Sequence, residues 1–360
     1  MNFLVTPQAK IGVLVVDDSA FMRSALSGMI NSDPGLFVVG TACNGAEALA
    51  KTPHLHPDVI TLDVEMPGLN GLETLRCIKA RFPTPVLIVS SASDTDANIT
   101  FAALGAGAFD YVPKSLSPTS LDILHIRHDL ISKLKAAANW QRTRGGIEKR
   151  KPPQSAPLEW KSFSTRPAII AIGASTGGPR ALEEILTQFP ADLPVPVLIV
   201  QHMPLGFTKS FAERLDKMCS ITVQETLNGK PFLPGVVYIA PAGIHTTVRR
   251  TSATAFYAHL TAEPNACQHI PSIDIIMQSV AGAFKSEAMG VILTGMGSDG
   301  ALGMTAIHRA GGITIGQDES SCMVYSMPRA CADLGILQRI VPLAQISAQI
   351  LQATQCRKRA

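Results

Sequence analysis

The sequence predicts an α/β protein built as two doubly wound parallel-sheet domains joined by a linker. Three observations carry that reading. Short apolar runs alternate with helical periodicity along both halves of the chain, the pattern of a parallel sheet covered by helices. At 360 residues the chain is longer than one compact domain of about 100–200 residues and suits two. Hydrophobic residues make up 46% and charged residues 16% of the composition, which lets each half build its own core and excludes a disordered chain.

In the first half, strands are expected at Ile11–Val16, Phe37–Gly40, Val59–Leu62, Val86–Val89 and Ala108–Val112. Helices are expected between and after them, at Phe21–Ile30, Ala46–Lys51, Leu72–Arg81, Asn98–Leu104 and Leu121–Ala138. That makes a first domain of residues 1–138. Over residues 139–167 the chain turns polar, basic and proline-containing, and Gly145-Gly146 and Lys151-Pro152-Pro153 interrupt any periodicity. This stretch reads as a flexible linker. The second domain, residues 168–352, places strands at Ala168–Ile172, Val195–Gln201, Val236–Ala240, Gly290–Thr294 and Gly312–Gly316, with a helix over Arg180–Gln188. Neither an internal repeat nor a low-complexity segment is visible.

Charge and cysteine usage exclude several function classes. The net charge is only +3, and part of the excess sits near Glu148–Lys151 and in the tail Arg357, Lys358 and Arg359. Without a basic face or a helix-turn-helix pattern, nucleic acid is not an expected partner. The seven cysteines, Cys43, Cys77, Cys219, Cys267, Cys322, Cys331 and Cys356, contain no C-x-x-C pair and read as reduced thiols, not as disulfides or a zinc site. Residues 1–10 lack a basic start followed by an apolar run, and no segment reaches the roughly 18 apolar residues of a membrane span. A cytoplasmic protein is expected.

Asp17 and Asp18 directly follow the first apolar run, at the strand edge where open α/β sheets bind ligands. Taken alone, Asp18 or Ser19 could simply cap the next helix. Asp63 also ends an apolar strand and belongs at the same edge, so three carboxylates converge. Hard oxygen ligands of this kind suit magnesium, which neutralises charge in phosphoryl transfer. Ser90 and Lys114, at the ends of two further strands, add a hydroxyl and a cation.

The blocks Val15–Ser19 (VVDDS), Leu62–Gly71 (LDVEMPGLNG), Val89–Ala92 (VSSA) and Tyr111–Lys114 (YVPK) resemble the flavodoxin-like receiver domain of two-component response regulators. The resemblance implies that Asp63 is the phosphoacceptor and that Asp17 and Asp18 hold Mg2+ with it and with the Glu65 backbone carbonyl. It also implies that Ser90 and Lys114 bind the phosphoryl group and that Tyr111 is the rotamer reporting the switch. Two departures stand out. Asn70-Gly71 replaces the usual Asp-Gly, which is ordinary turn chemistry. Lys114-Ser115 replaces Lys-Pro, a peptide typically cis in these domains, and a non-proline cis bond costs about 2.5–4 kcal/mol.

In the second domain Gly173-Ala174-Ser175-Thr176-Gly177 matches G-x-S-x-G between a strand and a helix. Small neighbours allow the sharp turn that exposes a serine hydroxyl, and amides at the helix start can stabilise an anion. The loop lacks the lysine of a P-loop and the G-x-G-x-x-G of a dinucleotide site. Such a serine needs a histidine base held by an acid. His202, directly after the most apolar strand, belongs on the ligand edge beside Ser175; His245 is the competing choice, its position less determined because Pro241-Ala242-Gly243-Ile244 separate it from its strand. Asp299, in the glycine-rich turn Thr294–Gly300, and Asp274 are rival acids, and the residue pattern alone does not separate them.

GASTGGP (Gly173–Pro179), QHMP (Gln201–Pro204), IPSID (Ile270–Asp274), LTGMGSDG (Leu293–Gly300) and GQDESS (Gly316–Ser321) together resemble the catalytic domain of chemotaxis protein-glutamate methylesterases. The resemblance implies a triad of Ser175 as nucleophile, His202 as base and then acid, and Asp299 as its orienter, with the amides of Thr176 and Met296 as oxyanion donors. It further implies hydrolysis of glutamate γ-methyl esters on methyl-accepting chemotaxis receptors, deamidation of receptor glutamines, no cofactor for the esterase reaction, and phosphorylation by a chemotaxis histidine kinase. A receiver ahead of an esterase suggests autoinhibition, the unphosphorylated first domain covering the Ser175 cleft. The rival readings are a receptor-binding regulator without catalysis and a serine esterase of other substrate range.

Overall fold

The computed structural model describes residues 10–91, 94–114, 120–146, 165–252, 255–264 and 267–355. The chain divides into two compact units, 1–153 and 154–360.

The first unit alternates β1 (Ile11–Val16), α1 (Ala20–Asn31), β2 (Leu36–Ala42), α2 (Gly45–Leu55), β3 (Val59–Asp63), α3 (Gly71–Arg81), β4 (Val86–Ser90), α4 (Asp94–Gly105), β5 (Asp110–Pro113) and α5 (Ser120–Gly146). The strands form one parallel sheet in the order β2-β1-β3-β4-β5. Every residue of β1, β3 and β4 is buried, as expected of strands covered on both faces. The strand order reverses between β1 and β3, and the crevice beyond their carboxyl ends is where doubly wound sheets take ligands.

The linker expected from residue 139 begins inside a helix. α5 runs eight residues past Ala138, to the glycine pair that ends it. Ala137 and Ala138 are buried, and the Trp140 ring packs edge-on against Phe109 at 5.8 Å. The first residues of the stretch read as linker therefore belong to a helix, with Trp140 packed against the sheet unit. Residues 147–164 lie outside the described residues.

The second unit contains β6 (Ile169–Ala174), α6 (Gly178–Leu186), β7 (Val197–Gln201), α7 (Phe207–Met218), β8 (Thr222–Glu225), β9 (Val236–Ile239), β10 (His245–Arg250), β11 (Phe256–Thr261), α8 (Ile273–Phe284), β12 (Ala288–Ile292), α9 (Ala301–Arg309), β13 (Ile313–Gln317), α10 (Ser326–Asp333), β14 (Arg339–Val341) and α11 (Leu343–Gln355). Seven parallel strands are ordered β14-β13-β12-β6-β7-β9-β8, and β10 and β11 form a separate antiparallel ribbon. The five expected strands are present, with ends shifted by one or two residues. The edge strands β8 and β14 and the ribbon were not anticipated. β8 and β14 are only four and three residues long, and His245–Arg250 is too polar to stand out as an apolar run.

The sheet core is continuous with α8 and α9. Ile273, Ile276, Met277 and Val280 of α8 pack with Met304 and Ile307 of α9 and with Ala288 and Ile292 of β12. At about 25 cal/mol per Å2 of apolar surface removed from water, such residues dominate the stability of the unit. They also fix the two helix N-termini that shape the site.

Candidate active site and phosphorylation site

The chain direction of β6 passes to β7 on one side and, later, to β12 on the other, so the switch point of this sheet lies at the carboxyl end of β6. Ser175 is the first residue beyond it. The last ladder pair between β6 and β7 is Ala174 with Gln201, so Ser175 and His202 leave the sheet side by side, and the His202 N–H still donates to Ala174 O at 3.1 Å.

The turn after Ser175 is tight because glycines permit it. Gly177 has φ of 77°, and a Cβ at residue 178 would fall 1.9 Å from Gln201 Oε1. Gly178 opens α6, whose N-cap offers no side-chain acceptor. The amides of Thr176 and Met296 have no hydrogen-bond partner among the described residues. Residue 295 also approaches closely: a Cβ there would lie 2.8 Å from Ser175 Cβ. Thr294 fixes the far side of the turn, its carbonyl accepting from Ser175 N at 3.1 Å and its Oγ1 donating to Thr176 O at 2.9 Å.

His202 Nε2 lies 2.8 Å from Asp299 Oδ2, which leaves Nδ1 without a partner in a buried position. With Asp299 as the acceptor, Nε2 carries the proton and Nδ1 presents a lone pair. Asp299 is held by four donors: His202 Nε2, Ser272 Oγ at 2.9 Å, and the amides of Ile273 and Asp274 at 2.8 and 3.0 Å. The last two are the N-terminus of α8, which favours negative charge. Burial works to raise the Asp299 pKa, but the hydrogen bond and charge of His202 and the two amides outweigh it and hold the carboxyl well below the usual carboxylate range.

The rivals are occupied otherwise. His245 is fully buried, with Nε2 on Pro264 O at 3.0 Å and Nδ1 accepting from Ser272 N at 3.1 Å, so neither nitrogen is open to a serine. Asp274 accepts from Gly300 N and Gly303 N and caps α9. Its pKa is raised by burial, an effect the Gly303 and Gly300 amides oppose.

In the first unit, Asp17, Asp18 and Asp63 bring one carboxylate oxygen each within 4.8 Å of the others. Asp17 and Asp63 are buried and Asp18 is exposed. Lys114 Nζ stands 2.6 Å from Asp63 Oδ2 and 3.1 Å from Asp17 Oδ2. Burial raises the Asp63 pKa, and Lys114 opposes that. Capping also occurs here, through Ser19, which accepts from Met22 N, while Asp17 Oδ1 takes Ser19 N. The Glu65 amide donates to Asp63 Oδ1 at 3.1 Å. Ser90 Oγ accepts from Thr100 Oγ1 of α4 at 2.8 Å, and Tyr111 is buried, with Lys133 Nζ 5.3 Å from its ring centroid. Three carboxylates facing one lysine, all hard oxygen donors, fit a divalent cation such as magnesium. Ser115 lies outside the described residues, and with it the geometry of the Lys114-Ser115 peptide.

The CheB methylesterase family model matches residues 170–350, and the response regulator receiver domain model matches residues 13–124. A protein-glutamate methylesterase/protein-glutamine glutaminase of Halalkalibacterium halodurans is 42% identical over 98% of this chain and 100% of its own length. This chain is a member of the CheB methylesterase family. Its counterpart in Geobacillus kaustophilus is 44% identical over 95% of this chain and 98% of its own. The crystal structure of the Thermotoga maritima CheB methylesterase catalytic domain covers 52% of this chain and 98% of that domain, at 36% identity and a TM-score of 0.50.

In this CheB family member the sequence-predicted residues of each site stand together. Ser175, His202, Asp299, Thr176 and Met296 gather at the ends of β6, β7 and β12, and Asp17, Asp18, Asp63, Ser90 and Lys114 at the ends of β1, β3, β4 and β5. Sequence reasoning missed Ser272, which donates to Asp299, and His269, whose ring stacks on His202 with centroids 4.0 Å apart. Ser272 lies within the IPSID block and His269 directly precedes it, but neither residue type carries a signal of its contacts. The six cysteines described are all free thiols. Among the described residues no helix is long and apolar enough to cross a membrane.

Proposed function

We propose that this member of the CheB family hydrolyses glutamate γ-methyl esters on methyl-accepting chemotaxis receptors, releasing methanol, and deamidates receptor glutamines, with its rate raised by phosphorylation of Asp63. The observation that carries the chemistry is the His202 ring, bonded through Nε2 to Asp299 and presenting a free Nδ1 on the side of the sheet where Ser175 emerges.

Ser175 Oγ attacks the γ-carbonyl while His202 Nδ1 takes its proton. The free amides of Thr176 and Met296 receive the oxyanion, and losing one such donor typically costs about 2.7–4 kcal/mol of transition-state stabilisation. His202 then returns the proton to the leaving methoxide, and methanol departs. Water, deprotonated by the same nitrogen, attacks the acyl-enzyme and releases glutamate and Ser175. With a glutamine side chain the leaving group is ammonia, and the poorer leaving group makes that reaction slower. Asp299 stays ionised throughout and orients the imidazolium.

In the receiver, Asp17, Asp18 and Asp63, with the Glu65 backbone carbonyl, would hold Mg2+. Bound there, it would supply charge neutralisation for phosphoryl transfer to Asp63, for which a chemotaxis histidine kinase is the phosphodonor. Ser90 and Lys114 receive the phosphoryl oxygens, and Tyr111 responds to the switch. The triad needs no cofactor. The protein is read as cytoplasmic, with no nucleic-acid partner, and meets the membrane only through its receptors. The receiver is assigned residues 1–138, the linker residues 139–167, whose first eight residues continue α5, and the catalytic domain residues 168–352.

The test is methanol release from methylated receptor membranes, with and without a small-molecule phosphodonor and Mg2+. Release that rises with phosphodonor and disappears in Ser175→Ala is expected. Tight receptor binding with no methanol from wild type would instead favour a binding-only regulator.

A further inference from the structure

Gln201 ends β7 opposite Ala174, and beyond that pair the parallel ladder stops. Its side chain continues the pairing by one step. Nε2 donates to Ser175 O at 2.9 Å and to His202 O at 3.0 Å, so the two N–H bonds of one carboxamide tie together the main chains of both residues. The group is 2% exposed and cannot exchange these partners for water. Its Oε1 abuts Gly178, where a Cβ would stand 1.9 Å away, so the nucleophile turn is closed against the amide with no room for a side chain. Ser175 O also accepts from Gly178 N at 2.7 Å, so one carbonyl collects the bond that starts α6 and the bond from β7.

We propose that Gln201 is a positioning residue for the esterase reaction: by bridging the carbonyls of Ser175 and His202 it fixes the nucleophile against its base. This rests on the assignment of those two residues as nucleophile and base. Gln201 touches neither substrate nor reacting atoms. An amide is required because the bridge needs two N–H donors from one planar group directed at two acceptors. A carboxylate of the same size offers only lone pairs to two carbonyls and drives them apart. A leucine removes both bonds, leaving the Ser175 carbonyl with the Gly178 amide alone and the His202 carbonyl without this donor. Errors of about 1 Å in the placement of reacting groups can cost about 100-fold in rate.

The experiment compares full-length Gln201→Glu and Gln201→Leu with wild type in methanol release from methylated receptor membranes. It also follows the rate at which a fluorophosphonate labels Ser175. Both variants should lose about 100-fold in kcat and in labelling rate while KM stays within about twofold, since the receptor contacts are untouched. Should Gln201→Leu fail to fold, Gln201→Glu and Gly178→Ala, which presses on Oε1, decide the matter by the same pattern. A soluble Gln201→Glu with wild-type kcat and labelling rate, or one altered only in KM or melting temperature, overturns the proposal. Ser175→Ala separates the two levels. If it still releases methanol, the nucleophile assignment falls. If it is inactive while Gln201→Glu is fully active, only the role of Gln201 falls.

Discussion

Asp299 and Asp274 each cap the helix that the other belongs to or precedes. Asp299 accepts the amides of Ile273 and Asp274 at the start of α8, and Asp274 accepts those of Gly300 and Gly303 at the start of α9. The exchange ties the acid of the proposed triad to the two most heavily packed helices of its unit. It also distinguishes the pair, because Asp299 alone has an oxygen on His202.

Substitution should separate the two roles. Asp299→Asn keeps the size of the side chain but loses the charge that holds the imidazolium, and by analogy with the Ser-His-Asp triad, where the equivalent change costs about 10⁴ in kcat, a loss of about 10³–10⁴ is expected. Asp274→Asn removes a charged acceptor from two amides and should cost about 1–3 kcal/mol of stability with a much smaller effect on kcat. Methanol release and urea unfolding read the two quantities. A larger kcat loss in Asp274→Asn than in Asp299→Asn would reverse the assignment.

The pH dependence of stability follows from the same carboxyl. Asp299 has a folded-state pKa below its ordinary value of 3.8, so above that value the folded state gains from its ionisation. The gain is fully present above pH 3.8 and disappears as pH falls through the lower, folded-state pKa. Melting temperatures of wild type and Asp299→Asn should therefore differ by a constant amount at pH 5–7 and converge below about pH 3.8. Convergence already near neutral pH would mean that the His202 pairing does not hold the carboxylate ionised.

Most of this arrangement was legible in the sequence because strand ends are. Asp17, Asp63, Ser90, Ser175 and His202 each follow or finish an apolar run, and a parallel sheet delivers all such positions to one edge. What was not legible depends on partners far along the chain. Position favoured His202 but left His245 as its competitor, and pattern could not rank Asp299 against Asp274. The difference lies in Pro264 O and Ser272 N, which consume both His245 nitrogens, and in Gly300 and Gly303, which consume Asp274. α5 was underestimated for a similar reason, since the contact of Trp140 with Phe109 spans thirty-one positions and composition does not register it. The bridging amide of Gln201 sits inside a motif that was recognised, yet one of its two acceptors, the Ser175 carbonyl, belongs to another motif twenty-six positions earlier.

Gly295 should be intolerant of any side chain. A Cβ there would lie 2.1 Å from Met327 Sδ and 2.8 Å from Ser175 Cβ. The thioether can rotate away, but the Ser175 backbone nitrogen at 3.1 Å cannot. Gly295→Ala is therefore expected to fold, at a cost of about 1–3 kcal/mol for overpacking. Its kcat should fall by about 10- to 100-fold as Ser175 and the neighbouring Met296 amide are displaced. Calorimetry and methanol release on the same preparation test this, and a variant with unchanged kcat would show that the serine has more freedom than its packing implies.

Removal of divalent metal should affect one site and spare the other. The carboxylates of Asp17, Asp18 and Asp63 lie within 4.8 Å of one another, and Lys114 reaches only the first and the last. An incoming phosphoryl group adds further negative charge there, which a cation must offset before transfer can proceed. The proposed triad contains only Ser175, His202 and Asp299, and the oxyanion falls to backbone amides. EDTA should therefore abolish stimulation by phosphodonor while leaving basal methanol release unchanged, and Asp63→Asn should give the same pattern in the presence of Mg2+. If EDTA also suppressed basal release, the triad could not be acting without a metal and the mechanism proposed for Ser175 would have to be abandoned. If stimulation survived EDTA, the acidic cluster would not be the cation site on which phosphorylation depends.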